Sequence, residues 1–143
     1  MKKLQQFITR FQIIDSIIGI VGVIIILCAA LTMQFAYGEE PCPLCELQRA
    51  AFLNIGIALD LNLRYGNRVS HWALVILSAI AGIAVSIRQI LLHVNDPIGF
   101  GSPVFGLHLY TWCFLAFAVA IVGGVGMLII YPEKNGNGDT HNK

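Results

Sequence analysis

The sequence predicts an all-α integral membrane protein, a bundle of four transmembrane helices with both termini in the cytoplasm. Three observations lead there. Of the 143 residues, 57% are apolar and only 12% are charged, about half the charged share of a soluble domain. The apolar residues fall into four long runs, each near the roughly 20 residues that cross a hydrocarbon core. The charges collect in the short segments between those runs. A net charge of +1 without any basic block speaks against a nucleic-acid partner. One domain is expected at this length, residues 1–131.

Residues 1–12 are short and basic, with Lys2, Lys3 and Arg10. The first span is expected at about 13–35, too long for the apolar region of a signal peptide and not followed by a small-residue cleavage site. Leu27 before Cys28 is too large for a lipoprotein cleavage site. A short acidic turn with Gly38, Glu39, Glu40 and Pro41 follows. The second span is expected at about 43–63, with Pro43 in the first helical turn, where its missing N–H costs nothing. Arg64, Gly66, Asn67 and Arg68 make a basic turn before a third span at about 71–93. Residues 94–106 read as a loop rich in Gly, Pro, Asn and Ser, and the fourth span runs at about 107–131. The polar tail, 132–143, is expected to be disordered. Ser78, Gly82 and Ser86 on the third span, and Ala116, Ala120 and Gly124 on the fourth, repeat the small-residue spacing of closely packed membrane helices.

Lys2, Lys3, Arg10, Arg64, Arg68, Lys134 and Lys143 all fall on one side of these spans, with Glu39, Glu40 and Asp96 on the other. The positive-inside rule makes the basic side cytoplasmic. The segment Glu40-Pro41-Cys42-Pro43-Leu44-Cys45-Glu46-Leu47-Gln48-Arg49 and the 94–106 loop then face the opposite compartment, in a bacterium the periplasm or exterior, where disulfides persist.

Four cysteines, at 28, 42, 45 and 113, are too few and too uneven for a disulfide-stapled fold. Cys28 and Cys113 lie in apolar runs and read as small hydrophobes. Cys42 and Cys45 form a Cys-x-x-Cys. Structural zinc needs a second ligand pair, and none is present on that side, so no metal is expected. A c-type haem needs a histidine where Glu46 stands. A redox dithiol needs only the pair, and the positive end of the helix beginning at Pro43 favours a thiolate on either cysteine.

Arg49 shares a helical face with Cys45 at i, i+4. An ionisable residue about one turn inside the membrane is costly. It either snorkels to lipid phosphate or Glu46, or binds a polar headgroup beside Cys45. Arg88, Gln89 and His93 end the third span, and His108 and Trp112 open the fourth, so polar groups of three helices converge at one depth. His93 and His108 read as interfacial anchors or, less simply, as ligands of a b-type haem. Tyr110 and Trp112 read as interfacial aromatics. With no nucleotide-binding glycine signature, the acceptor of the dithiol's electrons is expected to be a lipid-soluble quinone, with Arg49, Arg88 and His93 as donors to its oxygens.

Pro41-Cys42-Pro43-Leu44-Cys45 with Gln48-Arg49 at the head of the second of four spans resembles the DsbB family of membrane disulfide-generating proteins. Ser86-Ile87-Arg88 through His93 and Gly106-Leu107 through Trp112 resemble the ends of that family's third and fourth spans. The resemblance covers about residues 10–131. It implies that Cys42 and Cys45 are the redox pair, with Cys45 nearer the quinone. It also implies ubiquinone or menaquinone as cofactor, Arg49 and His93 as quinone contacts, and a DsbA-like thioredoxin-fold protein as partner. Better-known members carry a second cysteine pair in a long loop between spans three and four. Here that loop, Val94 to Gly106, has no cysteine, so Cys42 would have to meet the partner directly. A non-catalytic subunit with a structural disulfide is the competing reading.

Overall fold

The computed structural model describes residues 2–38, 40, 42–99 and 103–130, apart from the side chain of Gln5. The tail, 132–143, and the turn residues Glu39 and Pro41 lie outside the described residues. Four helices follow one another: α1 (Lys2–Ala36), α2 (Pro43–Tyr65), α3 (Val69–His93) and α4 (Leu109–Ile130). The chain is an all-α, multi-pass membrane bundle. α1, α3 and α4 are each long and apolar enough to cross a bilayer. Their outward faces carry large apolar side chains, such as Phe7, Ile18, Leu77 and Val119, which suits lipid and not water.

α1 begins at Lys2, ahead of the expected span. Its 35 residues would extend about 52 Å, well beyond a hydrocarbon core of about 30 Å. The basic first turns therefore continue the helix into the polar zone. α2 is the least apolar helix. Its charges stand near its two ends, Glu46 and Arg49 at one, Asp60 and Arg64 at the other. Arg64 Nε pairs with Asp60 Oδ2 at 2.7 Å across one turn. The stretch between is apolar or small and turns Phe52, Ile55, Ala58 and Leu59 into the core. α2 packs against both α1 and α3, while Leu47, Leu53 and Ile57 keep an exposed apolar face.

The packing is sequential, α1 on α2, α2 on α3 and α3 on α4. Small residues set the close approaches. Ser78, Gly82 and Ser86 form a buried stripe on α3, and a Cβ added at Gly82 would overlap the Phe117 ring of α4. Phe117 is fully buried and stacks on Phe52 of α2, centroids 4.1 Å apart and planes 14° from parallel. Such a pair contributes about 0.5–1.5 kcal/mol beyond its burial. On α4 the expected stripe divides. Gly124 packs against Ile76 of α3, and Ala116, Ala120 and Gly124 all line a groove, so the stripe is not spent on α3 alone. At Gly19 of α1 a Cβ would come within 2.6 Å of Leu59 on α2.

α1 and α4 are not among the closely packed pairs. Between them runs an apolar groove of about 760 Å³, floored by Phe52, Ile55 and Leu59 and walled by Val23, Met33, Cys113 and Ala116.

Gly82→Val should lower the thermal midpoint of the detergent-solubilised protein, as overpacking a core typically costs about 1–3 kcal/mol. Gly123→Val, where a Cβ meets nothing within 4 Å, should leave it nearly unchanged. Circular dichroism melts of both variants check this.

Candidate functional site

Cys42 is the N-cap of α2. Its backbone is extended (φ −76°, ψ 151°), Pro43 takes the first helical position, and the Cys45 N–H donates to Cys42 Sγ at 3.1 Å. A sulfur thus takes the place of the usual capping oxygen. The same turn brings the two sulfurs to 2.6 Å, so closing a disulfide of about 2.05 Å needs little motion. Both cysteines are half-buried free thiols. The expectation that the helix end serves either sulfur is thereby sharpened: the backbone donor goes to Cys42.

One turn further on, α2 carries two consecutive polar residues about 100° apart around the helix. Gln48 turns towards α3. Its Nε2 donates to Ser86 Oγ at 3.1 Å and to Gln89 Oε1 at 3.0 Å. Gln89 Nε2 in turn donates to Cys45 Sγ at 3.3 Å and Cys42 Sγ at 3.5 Å. Ser86, Gln89 and Gln48 are 0%, 1% and 3% exposed, so the bonds among these three are shielded from water, while those to the sulfurs are part-buried. Arg49 turns the other way, towards α1. It donates to Gln34 Oε1 at 2.7 Å and to the Ala30 carbonyl at 3.3 Å. Its buried Nε–H has no partner among the described residues. Neither lipid-directed snorkelling nor a Glu46 pairing describes this arginine; it is tied into the bundle. Phe52, three residues on, floors the α1–α4 groove.

His93 Nδ1 donates to the Gln89 carbonyl at 2.9 Å, one helical turn back, and its ring stacks on Tyr110 at 6.0 Å. His108 stacks on Tyr110 at 5.2 Å. Both histidines thus stack on one tyrosine. Tyr110 is buried and not an interfacial aromatic. Trp112 stays at the surface, donating from Nε1 to the Val104 carbonyl at 3.0 Å. Val104 also pairs with Leu107 across a turn whose two central residues, Phe105 and Gly106, both have positive φ. That turn ends the loop close to the head of α4. Arg88 lies on the exposed face of α3, on a different face from buried Gln89, and makes no side-chain hydrogen bond among the described residues. Of the expected site residues, Cys42, Cys45 and Arg49 converge at the head of α2 with His93 behind Gln89, while Arg88 stands apart.

Sequence reasoning passed over the roles of Gln48 and Ser86. The available signal was their polarity inside apolar spans, with Gly82, Ser86 and Gln89 on one face of α3 at spacings of four and three.

The family model for the disulfide bond formation protein DsbB matches residues 16–98. Disulfide bond formation protein B of Cupriavidus necator is 44% identical over 84 residues, covering 58% of this chain and 48% of the relative. The protein of the same description from Pseudomonas syringae pv. tomato is 50% identical over 76 residues, covering 49% of this chain and 44% of the relative. Disulfide bond formation protein B 1 of Burkholderia lata is 28% identical over an alignment of 145 residues, covering 78% and 85%. The matches of higher identity thus span about half the length of those relatives. No solved structure is significantly similar.

Mild oxidation should join Cys42 to Cys45 and leave Cys28 and Cys113 as thiols. Alkylation under denaturing conditions, counted by mass spectrometry, should then label Cys28 and Cys113 alone, and all four cysteines after reduction.

Proposed function

Because the chain belongs to the DsbB family of disulfide bond formation proteins, we propose that it is a quinone-dependent protein thiol–disulfide oxidoreductase. In this reading it passes electrons from a dithiol partner through Cys42 and Cys45 to a membrane quinone. The observation that carries this is the convergence, at the head of α2, of a closable dithiol and an inward-facing arginine, about one turn from Phe52 on the floor of an apolar groove.

The cysteine site faces the periplasm or exterior of the inner membrane. The partner is a DsbA-like thioredoxin-fold protein. The 94–106 loop holds no cysteine, so the partner's thiolate attacks this pair directly. Half-buried Cys42, at the end of the turn preceding α2, is the sulfur it meets, and Cys45 leaves.

Ubiquinone or menaquinone fits the residues present. The groove is apolar, with a volume of about 760 Å³ that would take part of an isoprenoid chain, and Arg49, three residues before its floor residue Phe52, has a spare buried donor. When bound, the quinone supplies a two-electron acceptor. Arg49 would hold its polar headgroup, with Gln34 and the Ala30 carbonyl keeping the guanidinium pointed at α1. His93 is the second candidate contact, held by its Nδ1 hydrogen bond to the Gln89 carbonyl one turn back on α3. Arg88, exposed on α3, takes part in this reading only if a bound headgroup reaches the outer face.

Purified protein mixed with a quinone analogue and a reduced thioredoxin-fold dithiol should consume quinone, and Cys42→Ser or Cys45→Ser should abolish that consumption. Undiminished turnover in either variant rejects the proposal. Arg49→Lys keeps the charge but loses the planar fork; it should lower kcat/KM for quinone by about tenfold or more, roughly 1.4 kcal/mol, with the loss mainly in KM.

A further inference from the structure

We propose that Ser86, Gln48 and Gln89 form a directional hydrogen-bond relay that holds an amide N–H against the two sulfurs and so tunes the thiol–disulfide balance of the pair. The inference rests on reading Cys42 and Cys45 as a reactive dithiol.

A glutamine side chain presents an oxygen at one edge and an NH₂ at the other, and rotation by half a turn exchanges them at almost no change in shape. Something must decide which edge Gln89 shows to the sulfurs. Here the decision starts at a group that cannot change sign, the backbone carbonyl of Gly82. It accepts the Ser86 hydroxyl hydrogen at 2.9 Å, which leaves Ser86 Oγ as an acceptor. Gln48 must then point its NH₂ towards Ser86 (3.1 Å). The other hydrogen of that NH₂ goes to Gln89 Oε1 at 3.0 Å, and Gln89 is left to turn its own NH₂ to the sulfurs. A flipped Gln89 would set two NH₂ groups against each other and an oxygen against sulfur lone pairs, in a place without water.

Gln89 serves both sulfurs, and Cys42 has a backbone donor as well. Cys42 Sγ already accepts the Cys45 backbone N–H. Cys45 Sγ takes its amide hydrogen from Gln89. When an incoming thiolate attacks the disulfide at Cys42, a new S–S bond forms there and the Cys42–Cys45 bond breaks. The electron pair leaves on Cys45 as a thiolate, next to the Gln89 N–H. The second thiol of the incoming dithiol then displaces Cys42 from the mixed disulfide. The incoming dithiol ends oxidised and its two electrons end on the pair, the proton of its second thiol going to Cys42 and the negative charge staying on Cys45. An N–H holds a thiolate more strongly than a neutral sulfur, so the relay favours the reduced pair and makes the disulfide a stronger oxidant. Gln89 is the group that touches the reacting atoms; Gln48 and Ser86 are positioning residues.

The full chain in detergent is equilibrated with glutathione buffers, acid-quenched and alkylated, and the oxidised fraction is counted by mass. Gln89→Leu should move the equilibrium towards the disulfide about tenfold, which for a two-electron couple is about 30 mV. Ser86→Ala should move it the same way by roughly threefold alone, and by nothing further in the Gln89→Leu background, the non-additivity expected of one network. Ser78→Ala, a buried serine outside the relay, should move nothing. Should Gln89→Leu not fold, Gln89→Met with Ser86→Ala carries the same comparison. An unshifted equilibrium, or full additivity of the two changes, overturns the relay. The measurement uses neither quinone nor partner, so it stands apart from the quinone turnover that tests the function proposed above.

Discussion

Inside a hydrocarbon slab a polar side chain has no water to turn to, and an unpartnered buried amide costs about 1–3 kcal/mol. Gln48, Ser86, Gln89 and Arg49 all lie within the helices of this bundle, and each finds partners on another helix or on a backbone carbonyl, the Arg49 Nε–H excepted among the described residues. The rest of the architecture depends on this requirement. Two consecutive residues of α2 face opposite ways, Gln48 binding α3 and Arg49 binding α1. α2 is thereby held between its two neighbours at the level where its first turn carries the cysteines.

The fourth helix is attached differently. α4 meets α3 through shape, with Phe117 seated over Gly82 and Gly124 against Ile76, and it reaches α2 mainly through the Phe52–Phe117 stack. Nothing comparable ties it to α1. The groove between α1 and α4 is thus the consequence of which pairs were given polar or small-residue contacts. It is lined by apolar atoms, so leaving it open to lipid exposes no unpaired backbone, in keeping with the rule that lipid-facing segments satisfy themselves.

At the opposite-facing ends of α3 and α4, Tyr110 sits between two imidazoles, and His108 holds the Ile98 carbonyl of the loop at 3.1 Å. This stack joins the end of α3 to the beginning of α4 directly behind Gln89. The His93 hydrogen bond to the Gln89 carbonyl places the residue that touches the sulfurs within a braced turn. A donor on such a turn keeps its distance to the dithiol better than one on a free loop.

Much of this was legible along the chain. Four apolar runs of the right length define the four helices to within a few residues, because the length of a spanning helix is set by the thickness of the slab it crosses. The longer α1 shows where that argument stops: hydropathy marks the hydrocarbon part of a helix, not its ends. Cys42, Cys45 and Arg49 were legible as a group because an N-cap, its third residue and the next turn are fixed by local helix geometry. Gln48 looked like a neighbour of Arg49 and Ser86 like a packing residue, and Arg88 looked equivalent to Gln89. Only the tertiary structure separates these. Which of two adjacent residues faces inward depends on the rotation of one helix against another, and which edge of an amide faces a sulfur depends on a carbonyl seven residues away on α3, reached through a side chain of α2. Hydrogen-bond direction belongs to pairs across an interface, and one chain of letters does not contain it.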